Sequence, residues 1–424
     1  MIRFLIKGLI RDRSRSIFPV LMVSAGVFLT VFLYSYLNGA IGDVVDSAAR
    51  FNTGHLKVTS LAYSRLEGQT PNDLALMEAE RNLKELRKDY PHLMWVERIR
   101  FGGLLDIPDE VDETRSQGPV LGMAINLIDT SSDDVKVLGI RKSIVRGRMP
   151  EKKNEILIAD QFAQKLGVKP GEKATLLSST MNGSMSMHNF VIVGTVRFGM
   201  ALVDKSTIII DLEEARFALD MFDATSEILG FIPDMVYDDK AMKAIALDFN
   251  SRFSKADNEF SPYMLSLGEQ GIMKDMLVII KYATSIVVSI FVFAMSIVLW
   301  NAGLMNGIRR YGEIGIRLAM GEAKGAIFRA MIMESVVLGI AGSVLGTAVG
   351  LAASYYLQFT GIDITEMLQK SSIMMSSVIR AKVSITSYYI GFFPGVFASV
   401  MGTLFAGIGI YKRQTSQLFK ELEV

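Results

Sequence analysis

The side chains best equipped for chemistry in this 424-residue chain are few and scattered. Met181, Met185, Met187 and His188 fall close together, and thioethers beside an imidazole form a soft donor set able to hold Cu(I). Gly183, Ser184 and Ser186 within the same stretch read instead as an ordinary exposed hairpin tip, and no metal site is assigned. The three histidines, His55, His92 and His188, stand far apart and assemble no hydrolase triad. Residues 167–173 imitate a phosphate-binding loop. However, the glycine spacing is one short, Glu172 precedes Lys173, and Ala174 stands where the magnesium-binding hydroxyl belongs. No Gly-x-x-x-x-Gly-Lys-Ser/Thr occurs anywhere, so ATP hydrolysis by that route is excluded. Cysteine is absent, which removes thiol chemistry, disulfides and thiolate metal sites. The expected chain is therefore non-catalytic, with no catalytic residue, metal or bound cofactor of its own.

The elements around these residues are dominated by apolar runs. Half the residues are hydrophobic and the mean hydropathy is +0.32, unusual for a soluble chain. The net charge of +1 exerts no global pull on nucleic acid, which is not expected as a partner. Crossing a bilayer takes about 20 apolar residues in a helix. The stretches 17–37, 282–305, 335–357 and 383–411 meet that length without a charge. The first follows basic residues as a signal peptide would, but its apolar run is too long and no small-x-small cleavage site follows. Twelve basic residues flank one side of these spans: Arg3, Lys7, Arg11, Arg13, Arg15, Arg309, Arg310, Arg317, Lys324, Lys412, Arg413 and Lys420. The short connection between the third and fourth spans holds only Lys370, Arg380 and Lys382. By the positive-inside rule both termini are cytoplasmic and the long segment after the first span is outside.

That long segment alternates apolar and charged residues and should fold. A helix is expected over 78–88, with Leu83 and Leu86 on one face. Strands are expected over 155–159, 174–178, 190–196 and 206–210. Further helices should cover 161–166, stopped by Gly167, and 211–219, with an acidic first turn. Residues 39–49 and 267–277 lack strand patterning and should continue the first two spans outward as helical stalks. One or two small α+β subdomains follow from this order. The expected fold is an α-helical membrane protein with four transmembrane helices and a large α+β extracytoplasmic domain inserted between helices 1 and 2. Its expected segments are an amphipathic N-terminal helix 1–16, helix 1 at 17–37 and the outer domain with stalks at 38–281. Helix 2 at 282–305, a cytoplasmic connection at 306–329 and helix 3 at 330–357 follow. A short outer loop at 358–382, helix 4 at 383–411 and a cytoplasmic tail at 412–424 complete the chain.

Two further patterns concern contacts. Gly342, Gly346 and Gly350 share one helix face, and Gly391, Gly395, Ser399, Thr403 and Gly407 share another. Small residues at this spacing let helix backbones approach closely in lipid, within one bundle or across a dimer face. In the cytoplasmic connection, a helical reading from Glu313 places Ile316 and Met320 on one face, with Arg317 adjacent and Gly321 as a stop. Such a helix can dock into a partner's groove, or the segment can be a charged turn that fixes topology. Glu334, at the start of the third span, sits near the interface where water or Arg329 is within reach.

Glu313-Ile314-Gly315-Ile316-Arg317-x-Ala319-x-Gly321, followed by Ile327, Glu334-Ser335 and a glycine-rich span, resembles the signature of FtsX/MacB-type ABC transporter permeases. Gly147-Arg148, the 154–158, 166–171 and 191–194 stretches, and the basic amphipathic start at 2–15 are similar to other parts of that family. Thr53-Gly54-His55-Leu56-Lys57-Val58 resembles its lipoprotein-releasing, Lol-type branch. The chain departs from the pattern at Gly312 and Glu322, where a basic residue and an alanine are usual. The resemblance implies that the connection is a coupling helix, with Glu313, Ile314, Gly315, Ile316, Arg317, Met320 and Gly321 meeting a separate ABC ATPase subunit. ATP and Mg would then bind that partner. It also implies a second permease copy or paralogue, contact with membrane lipid, residence in the bacterial inner membrane with the large domain in the periplasm, and mechanotransmission. Release of lipoproteins or lipidated molecules, handed to a periplasmic carrier, is the expected activity. Export of peptides or drugs with an adaptor, and signalling to a cell-wall hydrolase, are the alternatives.

Overall fold

The computed structural model describes residues 13–129, 132–235, 237–253, 258–308, 311–364 and 378–412. The N-terminal helix expected at 1–16 and the tail expected at 412–424 therefore lie almost wholly outside the described residues. The chain divides into a helical unit (Met1–Gly42, Ile280–Ile362, Ile379–Val424) and a sheet unit (Asp43–Ile279, Asp363–Val378).

Among the described residues, four helices are long and apolar enough to cross a membrane. The first is α1, Arg13–Ala48. It ends in a π-helical turn, Ala49–Thr53, closed by Gly54 at a φ of 60°. A residue with a Cβ resists that conformation, which explains glycine at the end of the first stalk. The second stalk begins later than its composition suggests. Leu267–Glu269 forms a 3-10 turn under a capping box in which Ser266 and Glu269 satisfy each other's backbone, so the long helix starts only at Gly271.

Within the sheet unit, ten strands form one sheet. They are β1 (Leu56–Ser60), β2 (Met94–Pro108), β3 (Thr114–Ile125), β4 (Ile144–Gly147), β5 (Glu155–Ala159), β6 (Lys173–Ser179), β7 (Met185–Val196), β8 (Thr207–Asp211), β9 (Glu227–Phe231) and β10 (Pro262–Ser266). Their order is β10-β1-β9-β2-β3-β8-β5-β7-β4, and β6 pairs with both β2 and β7. Those last pairings close β2, β3, β8, β5, β7 and β6 into a six-stranded ring. Phe101, Leu105, Ile156, Ile158, Leu176 and Ile208 belong to its buried core cluster. Among the described residues, four helices of seven residues or more accompany the sheet: α2 (Ala79–Asp89), α3 (Asp160–Leu166), α4 (Leu212–Leu219) and α5 (Asp239–Phe253).

Local signals explain several of these ends. Asp211 caps α4 by accepting a hydrogen bond from the Glu213 backbone, and Gly167 ends α3 at a φ of 67°. Between β6 and β7 runs a tight hairpin with Gly183 at a φ of 82°. Met185 and Met187 are exposed there, while Met181 packs against the core. His188 instead meets Asn154 at 3.1 Å and Glu214 at 3.4 Å. Strand alternation puts His188 on the face opposite its methionine neighbours, so the soft donor set is not gathered.

The remaining long helices are α6 (Gly271–Ile308), which enters the helical unit at Ile280, α7 (Tyr311–Ala319), α8 (Lys324–Thr360) and α9 (Ser399–Lys412). Helix α8 begins immediately after a turn at Gly321, six residues before the boundary expected at 330. The fourth span is less regular than the uninterrupted helix expected over 383–411. A 3-10 turn at Ile385–Tyr388 and a π-helical turn at Phe393–Ala398 precede α9. Pro394 supplies no backbone donor, so a regular α-helical ladder cannot run through it.

Candidate functional site

Helix α7 carries two apolar sides with different fates. Ile314 is only 3% exposed and clusters with Ile327 and Met331 of α8, with Leu318 packed alongside. Gly315 is also buried. On the other side Ile316 and Met320 are 50% and 75% exposed. The Met320 backbone donates to the Ile316 carbonyl at 3.0 Å, which holds these two side chains one turn apart on the same side. Of the seven residues expected to meet a partner, Ile314 and Gly315 thus turn inward, fastening α7 to α8. Ile316 and Met320 are presented outward, and Glu313 and Arg317 are half-buried beside them.

The end of α7 is held by its own backbone geometry. Gly321 adopts a φ of 92°, and a Cβ there would meet open space, so conformation rather than crowding calls for glycine. The Glu322 backbone donates to the Arg317 carbonyl at 3.1 Å. Its carboxylate accepts two bonds from Arg317, at 2.7 and 2.9 Å. Glu322, a departure from the expected pattern, therefore aims the Arg317 guanidinium across the turn. At a third exposed each, the two add at most about 1 kcal/mol of stability, and their effect is positional.

Below this segment the small-residue rows lie within the bundle. A Cβ on Gly346 would sit 2.5 Å from the Ser24 carbonyl and 2.8 Å from Val27 Cβ. One on Gly342 would sit 2.6 Å from Val23 Cβ, and one on Gly350 would sit 3.0 Å from Val31 Cβ. The row on α8 is thus the seat of α1, and Ser24 donates a hydrogen bond to the Gly342 carbonyl at 3.1 Å. Gly391 and Gly395 face Val27, at 2.5 and 2.7 Å from the same hypothetical atom. Farther along, Gly407 lies against the Phe328 ring of α8. Ser399 and Thr403 return their hydroxyls to carbonyls four residues back, at 2.6 and 3.1 Å. Such bonds hide hydroxyls in a helix without a partner chain.

Residues 285–415 match the FtsX-like permease C-terminal family. The chain carries an FtsX-like permease domain. That domain contains most of α6, all of α7 and α8, both glycine rows and the Arg317–Glu322 pair. The match supports a permease subunit of an ABC transporter. Similar solved structures include the periplasmic region of MacB from Actinobacillus actinomycetemcomitans, at 11% identity and a TM-score of 0.36, covering 54% of this chain and 94% of that one. A permease-protein domain from Porphyromonas gingivalis is similar at 11% identity and a TM-score of 0.32, covering 52% of this chain and 94% of that one. No curated protein matches the chain.

Within this FtsX-like domain, Ile327 stood in the family pattern, but its role with Met331 in anchoring α7 was not read from sequence. Their signal was present as a second pair four apart, matching Ile314 and Leu318 across the Gly321 turn. Glu334 is half-buried within α8.

Proposed function

We propose that this chain is the mechanically driven permease subunit of an inner-membrane ABC transporter, with Ile316 and Met320 seated in a groove of a separate ATPase. The observation that carries this reading is the split between the two sides of α7. Ile314 and Leu318 join it to the third span, while two apolar residues remain outward in a charged connection. Exposed to water alone, that outward pair gains nothing; against an ATPase it forms the core of a contact ringed by Glu313 and Arg317. Movement of the ATPase would reach α8 through Ile314, and α1 through the glycine seat. Such coupling requires two conformations biased by nucleotide. ATP and Mg belong to the partner, and a second permease copy or paralogue completes the assembly.

The likeness of Thr53 to Val58 to the Lol-type branch favours lipoproteins or other lipidated molecules as cargo, released from the membrane to a periplasmic carrier. Identifying lipids and proteins that co-purify with the native complex tests that choice of cargo. The docking itself is tested by Ile316→Asp and Met320→Asp. Each should lose on the order of 2–4 kcal/mol of association energy, as an interface anchor does. Co-purification with the ATPase and substrate-stimulated turnover should both fail while membrane insertion stays normal. If Ile316→Asp assembles and turns over like the parent, the segment is a topogenic turn and the docking reading is wrong.

A further inference from the structure

A cavity of about 660 Å³ lies inside the sheet unit, within the ~300–1,000 Å³ of small-molecule sites. Its apolar wall includes Phe51, Phe101, Leu121, Met123, Met273 and Met276. Phe51 lies in the π-helical turn, the next three on β2 and β3, and the last two in the first turns of α6. The Phe101 ring packs directly on Gly122, where any Cβ would collide with it. Unbranched thioethers adapt to many shapes, so this wall suits a flexible apolar ligand.

The charged side chains that line the cavity are Lys57, Arg65, Arg100 and Glu227, and each is already paired. Lys57 Nζ lies 3.1 Å from one Glu227 oxygen, and Arg100 Nε lies 2.8 Å from the other. Burial pushes the Glu227 carboxyl up, but Lys57 and Arg100 outweigh it and hold the group down at about 2, so the ion trio persists at neutral pH. Arg100 also donates to the Phe51 carbonyl, and Arg65 turns to Glu259 at 3.6 Å. The Gln270 Nε2 donates to the Thr53 carbonyl at 3.0 Å. The cavity therefore offers no unpaired charge to a ligand, and a charged group entering it would lose water with nothing to replace it. A peptide, sugar or nucleotide would bury many hydrogen-bonding groups against phenylalanine and methionine side chains, at the same kind of cost. A hydrocarbon chain has no polar group to lose.

We propose that this cavity holds one acyl chain of a membrane lipid, whatever its headgroup, with the chain end against Phe101 and Met123. The source is at hand in the lining itself. Val44, Ala48 and Phe51 belong to the apolar helix Ile17–Thr53, and Met273 and Met276 to Met273–Met305, both long enough to cross a membrane. Left empty, the apolar wall is wetted. A chain that leaves the bilayer for the cavity exchanges one apolar surrounding for another, so the gain comes from taking the protein's wall out of water. One chain can touch Phe51 where the first stalk ends, Met273 where the second begins, and Phe101 and Met123 of the sheet, bracing both stalks on β2 and β3. This goes beyond the transport reading and requires neither ATPase nor cargo, so the two can fail separately.

The test uses the full chain in phosphatidylcholine nanodiscs, without an ATPase. Two photoactivatable palmitoyl phosphatidylcholines are compared, one with its diazirine at the chain end and one with it beside the headgroup, and labelled peptides are mapped. Phe101 and Met123 belong to strands and to no apolar span, so labelling there does not come from the surrounding bilayer. The chain-end probe should label peptides containing either residue, and the headgroup probe should not. A chain-end phosphatidylglycerol probe should label them to the same extent as phosphatidylcholine, because the ion trio is closed on itself. Leu66→Trp, at the exposed rim, should cut this labelling about tenfold, since an indole along the wall takes area the chain would cover. Val111→Trp, exposed at a hairpin tip away from the lining, should leave it unchanged. Labelling confined to the apolar spans overturns the proposal, as does equal labelling of the strands by the headgroup probe. So does a strong preference for phosphatidylglycerol, or an equal response to the two tryptophan variants. The comparison of probes needs no variant, so it decides the matter even if Leu66→Trp fails to fold.

Discussion

Arg98 is the most completely buried charge in the sheet unit, with no exposed surface. Its Nε lies 3.1 Å from both oxygens of Asp134, and a second nitrogen lies 2.5 Å from one of them. A third donates to the Arg50 carbonyl at 2.7 Å, and the guanidinium stacks 5.8 Å from the Phe231 ring centre. It therefore ties the end of the first stalk to β2. Arg98→Met strands the Asp134 carboxylate in the core and should cost about 3–5 kcal/mol, as should Asp134→Leu by stranding the guanidinium. The double variant buries no unpaired charge. What remains is the Arg50 carbonyl without its donor, worth about 1–3 kcal/mol. The double variant should thus be more stable than either single one, far from the ~6–10 kcal/mol of the two added together. The chain has two tryptophans, and Trp95 is buried in this unit, so urea unfolding in a Trp300→Phe background reads it selectively. If the single losses add to within about 0.5 kcal/mol in the double variant, the pair does not act as described.

Gly346→Leu should destabilise the helical unit by about 1–3 kcal/mol through overpacking against Ser24 and Val27, whereas Val349→Leu on the exposed side should be near neutral. Thermal inactivation in detergent separates the two. His55 is buried, and desolvation lowers its pKa from 6.5 to about 4. Between those values the unfolded chain binds a proton that the folded one refuses, so stability falls as pH drops from 6.5 to about 4, by at most roughly 3 kcal/mol. Urea midpoints across that range should slope in the parent and flatten in His55→Asn; an unchanged slope would refute the assignment.

Elements closed by local chemistry were legible in the sequence. Asp211 before an acidic turn and Gly167 after an apolar helix mark ends that depend on neighbours a few residues away, and the 155–159 strand followed from its own pattern. The longest hairpin, β2 with β3, was not. Gly102 and Gly103 look like a break, yet a Cβ on Gly103 would sit 2.6 Å from the Leu177 carbonyl of β6, so the glycine is there to admit a third strand. The two π-helical turns follow no 3.6-residue period and left no trace in the hydrophobic pattern. At the candidate site, the four-residue spacing of Ile316 and Met320 was readable. The inward turn of Ile314 was not, because it is decided by Ile327 and Met331 on the next helix. The cavity was invisible for the same reason: Phe51, Phe101, Met123 and Met273 converge only once the sheet has formed.

The central claim is that Ile316 contacts an ATPase, and the absence of cysteine makes it directly measurable. Ile316→Cys and Val111→Cys each introduce one thiol, the second at an exposed hairpin tip of the sheet unit. Each is reacted with a water-soluble maleimide in membranes made permeable on both sides, with and without the ATPase. Docking predicts that the ATPase slows labelling at residue 316 by about tenfold or more, as burial in an interface core should, and leaves residue 111 unchanged. Equal labelling of residue 316 with and without the ATPase would contradict the account.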